Sequence, residues 1–279
     1  MTTVGFVGLG NIGAAMAQRL PAESLWVHDI RAEATTRFVE NGARAGSLKD
    51  LGTKCEVISI VVLNDAQVRG VVSELLEHTD PGTVIAIHST IDTQTAPQLA
   101  ATAAPHGIHI IDAPVSGGAA GAAEGRLAVM VGGERQAYET AKPVFRHWAE
   151  LVLHVGPAGA GTQCKLARNL LTFAGFAAAA EASKLAEAAG IDIRKLAAVV
   201  RHSDAISGGP GAIMVRASTE ELDGADGLRP IFEHTRTLGE KDLSLALAMG
   251  EALGVDLPFA ALARQTLASG LGVPRKENQ

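Results

Sequence analysis

Cysteine is scarce in this 279-residue sequence. Cys55 and Cys164 stand far apart, in no CxxC or Cys/His spacing, so neither a disulfide framework nor a zinc site is expected, and the cytoplasm, a reducing compartment, fits best. Excess positive charge is also lacking. A formal charge of -6 and a pI near 5.8 leave no basic surface for a phosphate backbone, which argues against nucleic acid as a partner. The histidines His28, His88, His109, His147, His154 and His202 fall in no ligand spacing, so no metal is indicated and they are read as structural or solvated. No long run is purely apolar. The nearest, LLTFAGFAAAAEASKLAEAAG, is alanine-rich and broken by Glu181, Lys184 and Glu187, so a bilayer span is not expected. The N-terminus MTTVGFVGLG lacks the charged and apolar regions of a signal peptide, and its apolar residues read as a strand.

What is present is a large apolar fraction, 47%, enough for one large core or two smaller ones. From Val4 to Val155, the runs VGFVG, LWVHD, VISIVV, TVIAIHS, HIIDAPV, LAVMVGG and LVLHVG read as strands. Most are continuously apolar, as in a mostly parallel sheet covered on both faces. Between them lie NIGAAMAQRL, RAEATTRFVEN, DAQVRGVVSELLEH, TQTAPQLAATA and ERQAYETAKPVFRHW, each with helical spacing. This alternation predicts an α/β, doubly wound, Rossmann-like domain over residues 1–157.

After Gly156 the strand signal stops. Helices are predicted over about 160–189, 192–202, 208–219, 235–253 and 258–269, giving an all-α domain over 158–279. The first would run about 45 Å at 1.5 Å per residue, long enough to link the two domains. That helix and the apolar helices after Gly239 offer more apolar surface than one small domain covers, so a homodimer or homotetramer is expected.

Gly8, Gly10 and Gly13 form GxGxxG between an apolar strand and a helical segment, the context in which the motif binds a dinucleotide. Gly8 permits the tight turn, Gly10 admits the pyrophosphate, and Gly13 lets helix and strand approach; Asn11 and Ile12 complete the loop. Asp29, about 20 residues on, ends LWVHD where a carboxylate accepts hydrogen bonds from the adenosine ribose and repels a 2'-phosphate. NAD is therefore favoured over NADP, with Arg31, two residues on past Ile30, as a compensating charge or simply a solvated helix-start residue. Val62, Leu63 and Asn64 end the VISIVV strand, where crevice-side residues line a cofactor, although a plain loop serves the sequence equally well.

Three further segments carry a resemblance. Asp112-Ala113-Pro114-Val115-Ser116-Gly117-Gly118 matches DxPVSGG, Gly161 to Asn169 matches GxxxKxxxN with Lys165 and Asn169, and Lys241-Asp242-Leu243 matches KDL. With GFVGLGNIGAAMA, the chain resembles the 3-hydroxyisobutyrate dehydrogenase (β-hydroxyacid dehydrogenase) family over nearly its whole length. The resemblance implies hydride transfer between a nicotinamide and a small 3-hydroxy acid or its semialdehyde, with Lys165 as the catalytic lysine. It also implies that Ser89 and Thr90, the family's ST pair, contact the nicotinamide ribose or amide, and that Lys241 reaches the substrate or the nicotinamide end. One departure stands out: the family commonly has an aromatic seven positions before the second lysine, where this chain has His234, with Phe232 two residues earlier.

The residues make chemical sense on their own. Ser116 with the backbone N-H groups of Gly117 and Gly118, at the start of the short helix GAAGAAEG, forms a receptor for a small carboxylate substrate, or merely a serine-capped turn. Lys165 and Asn169, four apart on one helix, converge on one oxygen, the amine moving a proton and the amide aligning the oxygen. A solvated lysine on an amphipathic helix is the alternative, and Lys241 with Asp242 alongside has the same alternative. Two enzyme readings compete: an imine reductase, which usually carries aspartate or tyrosine in place of Lys165, and 6-phosphogluconate dehydrogenase, whose helical domain is far larger. A non-catalytic cofactor-binding sensor or scaffold is the alternative outside enzymes.

Overall fold

The β-branched residues of VGFV, VISI and VIAI alternate between two apolar clusters, and that alternation builds the first half of the chain. Val4, Phe6, Val57, Val84 and Ala86 belong to one cluster, Ile58, Ile60, Ile85 and Ile87 to the other. A sheet with both faces buried follows, as a parallel sheet requires. The computed structural model describes residues 2–275, so the last four residues of the expected helical domain lie outside the described residues.

Six strands, β1 (Val4–Val7), β2 (Leu25–His28), β3 (Arg44–Ala45), β4 (Val57–Ile60), β5 (Val84–Ile87) and β6 (His109–Asp112), pair in parallel in the order β3-β2-β1-β4-β5-β6. The sheet continues through β8 (Leu127–Gly132), antiparallel to β6 and to the short β7 (Val115–Ser116), and ends on β9 (Ala149–Gly156), parallel to β8. Helices α1 (Asn11–Ala17), α6 (Gly118–Glu124) and α7 (Arg135–Phe145) supply Ala14, Met16, Ala122 and Phe145 to one cluster. On the other face, α3 (Leu48–Lys54), α4 (Asp65–Leu76) and α5 (Thr95–Ala103) supply Leu51, Val72 and Leu99. Helix α2 (Glu33–Glu40) adds Phe38 near the β2 edge. The fold is the doubly wound one that the sequence predicts, with the strand order reversing between β1 and β4.

Beyond β9 all regular structure among the described residues is helical: α8 (Ala160–Ala188), α9 (Ile193–Ser207), α10 (Arg229–Leu253) and α11 (Pro258–Leu271). The contacts divide the chain into two compact units, one ending at Arg168 and one starting at Asn169, so α8 begins in the first and continues in the second. In the second unit Leu222, Phe232, Leu271 and Val273 form a small core, and the buried Glu181 carboxylate of α8 accepts the N-H groups of Phe259 and Ala260 at the start of α11. The helix predicted over 208–219 is not there. Gly208 and Gly209 take φ of +84° and +55°, and the segment makes only a 3-10 turn over Gly209–Ile213, because a Gly-Gly-Pro-Gly run cannot sustain a helix. Helix α10 starts at Arg229, earlier than predicted, with Pro230 tolerated in its first turn.

Candidate active site

The glycine loop after β1 is built by close packing. Gly8 has φ of +90°, and a Cβ there would stand 2.1 Å from the Val61 carbonyl oxygen. A Cβ on Gly13 would stand 2.2 Å from the Gly8 carbonyl oxygen, so only glycine lets α1 seat against β1. Gly10, at the N-cap of α1, has nothing within 4 Å of its would-be Cβ and faces open space; no side chain caps the helix. The loop is thus tight on its protein side and bare on its outer side, with Asn11 and Ile12 opening the helix, a cradle that fits a dinucleotide pyrophosphate.

Next to this cradle runs a groove of about 780 Å³, lined among others by Gly10, Asn11, Ala15, Arg31, Arg37 and Ala119. Asp29, whose hydrogen-bond partners Leu9 and Arg31 both line this groove, has only 7% of its side chain exposed. Its Oδ2 accepts the Leu9 N-H at 2.7 Å, and Oδ1 accepts the Arg31 N-H at 2.9 Å and the Arg31 Nε-H at 3.4 Å. Burial alone would raise the carboxyl pKa, but these N-H donors and the guanidinium outweigh it and hold Asp29 below its ordinary value, firmly ionised. Arg31 is 58% exposed, and Ile30 points into solvent at 90%.

The neighbouring strand ends are tied together by their own side chains. Ser89 Oγ donates to the Val62 carbonyl at 2.7 Å and accepts the Val62 N-H at 2.9 Å, joining the ends of β5 and β4. Asn64 caps α4 by accepting the Gln67 N-H, and the Leu63 N-H donates to Gln67 Oε1, leaving the Leu63 side chain exposed. Thr90 is exposed beside Ser89. The serine hydroxyl and the Asn64 carbonyl, which the sequence places at the cofactor, thus already serve the protein's own backbone.

The segment after β6 lies at the carboxyl end of the sheet. Gly117 and Gly118 have φ of +132° and +67° and are exposed, and no side chain caps α6, so Ser116 does not act as its N-cap. Lys165, on the second turn of α8, donates its Nζ to the Val115 carbonyl oxygen at 2.6 Å, which brings the amine to the peptide unit that carries the Ser116 N-H. Burial, and then the Arg168 charge, lower the Lys165 pKa from its ordinary value. An amine so placed exchanges a proton more readily near neutrality than a free lysine.

Two buried residues hold this segment, and sequence reasoning missed both roles. Asp112, wholly buried, accepts the Gly159 and Thr162 N-H groups. His88 bonds through Nδ1 to the Ala113 carbonyl at 2.7 Å and through Nε2 to Ser59 Oγ at 3.1 Å. A carbonyl can only accept, so Nδ1 carries the proton and Nε2 accepts from the serine. Burial pushes the ring pKa down to about 4, so His88 stays neutral. No spacing in the sequence links residues so far apart.

In the helical unit, Asn169 follows Lys165 by one turn of α8 and is partly buried. Lys241 is exposed on α10 and pairs with Asp242 at 2.9 Å. Phe232 is in the core of this unit rather than at a surface, and His234 is exposed. No group of histidine, cysteine, aspartate or glutamate among the described residues could hold a metal ion, and no helix there is long and apolar enough to cross a membrane.

Comparison with known proteins gives two family matches. Residues 3–156 match the NAD binding domain of 6-phosphogluconate dehydrogenase, and residues 159–277 match the NAD-binding domain of NADP-dependent 3-hydroxyisobutyrate dehydrogenase. An NAD-dependent L-serine dehydrogenase of Pseudomonas aeruginosa is 33% identical over 94% of this chain and 90% of its own. A crystal structure of a Mycobacterium avium chain described only as an oxidoreductase superposes with a TM-score of 0.94 at 56% identity, covering 99% of this chain and 100% of that one. The structure of Mycobacterium tuberculosis 3-hydroxyisobutyrate dehydrogenase with L-serine superposes with a TM-score of 0.68 at 30% identity, over 96% and 93% of the two chains.

Proposed function

Since the chain belongs to the 3-hydroxyisobutyrate dehydrogenase (β-hydroxyacid dehydrogenase) family and is an NAD(P)-dependent hydroxyacid dehydrogenase, we propose that Lys165 is its proton donor and acceptor and that Ser116, Gly117 and Gly118 receive the substrate carboxylate. The observation that carries this reading is the Lys165 amine resting on the Val115 carbonyl, one peptide from Ser116. The bound nicotinamide supplies the hydride. As hydride reaches a carbonyl carbon, negative charge develops on its oxygen, and the Lys165 ammonium offsets that charge and delivers the proton. In the oxidative direction the neutral amine removes the hydroxyl proton, and the lowered pKa favours that form. Asn169, one turn on, is assigned to align the oxygen, and Lys241 to the substrate or nicotinamide end.

Small 3-hydroxy acids fit the proposal, L-serine among them, as the names of two relatives suggest. The cofactor cradle is assigned to Gly8, Gly10, Asn11, Ile12 and Gly13, with Val62, Leu63, Asn64, Ser89 and Thr90 along the nicotinamide side. NAD is preferred over NADP, supported by the ionised Asp29 and by the engagement of Arg31 with it. An imine reductase is not favoured, because a lysine stands where those enzymes usually carry aspartate or tyrosine.

The same reading divides the chain into a nucleotide-binding domain, 1–157, and a helical domain, 158–279, supported by two family matches that meet between 156 and 159. It takes the protein to act in the cytoplasm as a dimer or tetramer. The apolar side chains of Leu170, Phe173 and Phe176 on α8, Ile206 on α9 and Leu245 on α10, all more than half exposed, supply a surface for a second copy. The test is NAD reduction with a panel of 3-hydroxy acids that includes L-serine and 3-hydroxyisobutyrate. Turnover of at least one, lost in Lys165→Ala, is expected; cofactor binding without turnover of any would leave the sensor reading standing.

A further inference from the structure

We propose that Asp112 is the positioning residue of Lys165: from the end of β6 its carboxylate caps the start of α8 and fixes where the lysine stands. The proposal rests on the reading of Lys165 as the proton-transfer group.

The first intrahelical bond of α8 runs from the Gln163 N-H to the Gly159 carbonyl, which puts Gly159 at the N-cap. An N-cap side chain ordinarily accepts the N-H of the third helical residue, and a partner side chain returns a bond to the N-cap N-H. Gly159 has no side chain to offer. Asp112 does both jobs from 47 residues away: Oδ2 accepts the Thr162 N-H at 2.6 Å and Oδ1 accepts the Gly159 N-H at 2.7 Å. A negative charge at this end of a 29-residue helix is also favoured by the helix dipole.

The fit around this cap leaves no slack. A Cβ on Gly161 would stand 2.4 Å from the Met130 carbonyl oxygen and 2.7 Å from that of Asp112; one on Gly132 would stand 2.5 Å from Asp112 Oδ1. The helix start is therefore pressed on the ends of β6 and β8. Three residues after Thr162 comes Lys165, whose amine reaches Val115, three residues after Asp112. One short stretch of chain, 112–115, thus holds α8 at its cap and Lys165 by its tip. If the cap is lost, the helix start loosens and the amine leaves its half-buried place.

Asp112→Asn keeps the shape, but its amide NH2 must face one of the two N-H groups, donor against donor. Gly161→Ala disturbs the same seat while leaving Asp112 intact. Both are compared with the wild-type holoenzyme by pH-dependent acetylation with acetic anhydride, read lysine by lysine by mass spectrometry, and by kcat and KM. Circular dichroism and NADH binding at the glycine loop report folding. In each variant we expect the midpoint of Lys165 acetylation to move to higher pH, towards an ordinary lysine, with Lys241 unchanged and kcat down by about tenfold or more at nearly constant KM. A Lys165 titration unchanged in both variants overturns the proposal. A downward shift in Asp112→Asn also overturns it, since that is the effect of removing a nearby charge without moving the amine. Failure of the underlying reading looks different: the acetylation shift persists while Lys165→Ala retains full turnover.

Discussion

The Lys165 amine rests on the Val115 carbonyl oxygen, 2.6 Å away, and burial keeps its pKa below the usual lysine range. The amine is therefore held by backbone at the edge of the segment proposed to receive the substrate carboxylate, where on that proposal an incoming oxygen takes over the hydrogen bond. Lys165→Ala should lose about a hundredfold or more in kcat while NADH affinity, measured by fluorescence titration, stays near wild type. Lys165→Arg should rescue little, because a guanidinium with a pKa above about 12 keeps the charge but cannot release the proton.

The same lowered pKa fixes the sign of the pH dependence. With Lys165 in the proposed role, reduction uses the ammonium, so its rate should fall as pH rises through the Lys165 pKa, and oxidation uses the free amine, so its rate should rise through the same midpoint. Both midpoints should lie below the ordinary lysine value of 10.5. Rate profiles in the two directions with a non-titrating substrate analogue check this, and a midpoint above that value would contradict the burial of the amine.

The glycine loop allows folding and cofactor binding to be separated. Gly8→Ala puts a methyl 2.1 Å from the Val61 oxygen at φ of +90°, so it should lower the melting temperature as well as NADH binding. Gly10→Ala meets nothing within 4 Å and has φ of −69°, so the protein should melt like wild type. The new methyl projects into the space assigned to the pyrophosphate, and NADH affinity should fall by about tenfold or more. Equal NADH affinity in Gly10→Ala would move the pyrophosphate elsewhere.

Asp29→Ser should shift the cofactor preference towards NADPH, since it removes an ionised carboxylate and frees Arg31 from its 3.4 Å pairing. Wild type is expected to bind NADH at least about tenfold more tightly than NADPH, a difference of ~1.4 kcal/mol. Titrations of both proteins with both dinucleotides decide it, and an unchanged ratio in Asp29→Ser removes Asp29 from cofactor choice.

What could be read from the sequence was local in character. The parallel sheet and its order of elements followed from continuous apolar strands, and the change to helices after Gly156 from the loss of that pattern. The glycine loop was legible because its three constraints lie within six residues. Helix α3 is not among the expected helices, although Ser47 and Asp50 form a complete capping box whose residues are plain in the sequence. The helix expected over 208–219 does not form because Gly208 and Gly209 take left-handed φ and Pro210 follows them, so the segment makes only a 3-10 turn. Phe232, two residues before the His234 position, belongs to the core, which only its partners Leu271 and Val273 reveal. The capping role of Asp112 and the hydrogen bonds of His88 join residues 25 to 50 positions apart, and no spacing rule reaches that far.

His88 allows a stability test of the strand ends that is independent of catalysis. Its ring packs edge-on against Phe145 and Trp148, with centroids 5.1 and 5.8 Å away, and it bonds the Ala113 carbonyl and the Ser59 hydroxyl in one neutral tautomer. Protonation would put a charge in this apolar setting and a second N-H against Ser59, so the folded pKa is about 4 against 6.5 for a free ring. Between those values the unfolded chain binds the proton and the folded one does not. Stability is therefore fully present above about pH 6.5 and is lost as pH falls towards 4, by a total of about 3 kcal/mol from this group alone. His88→Gln keeps a donor for Ala113 and an acceptor for Ser59 but cannot titrate. Urea unfolding at pH 7 and at pH 4.5 should show a smaller loss of stability on acidification in His88→Gln than in wild type. Equal losses in the two proteins would mean that the ring is reached by water and already exchanges its proton in the folded state.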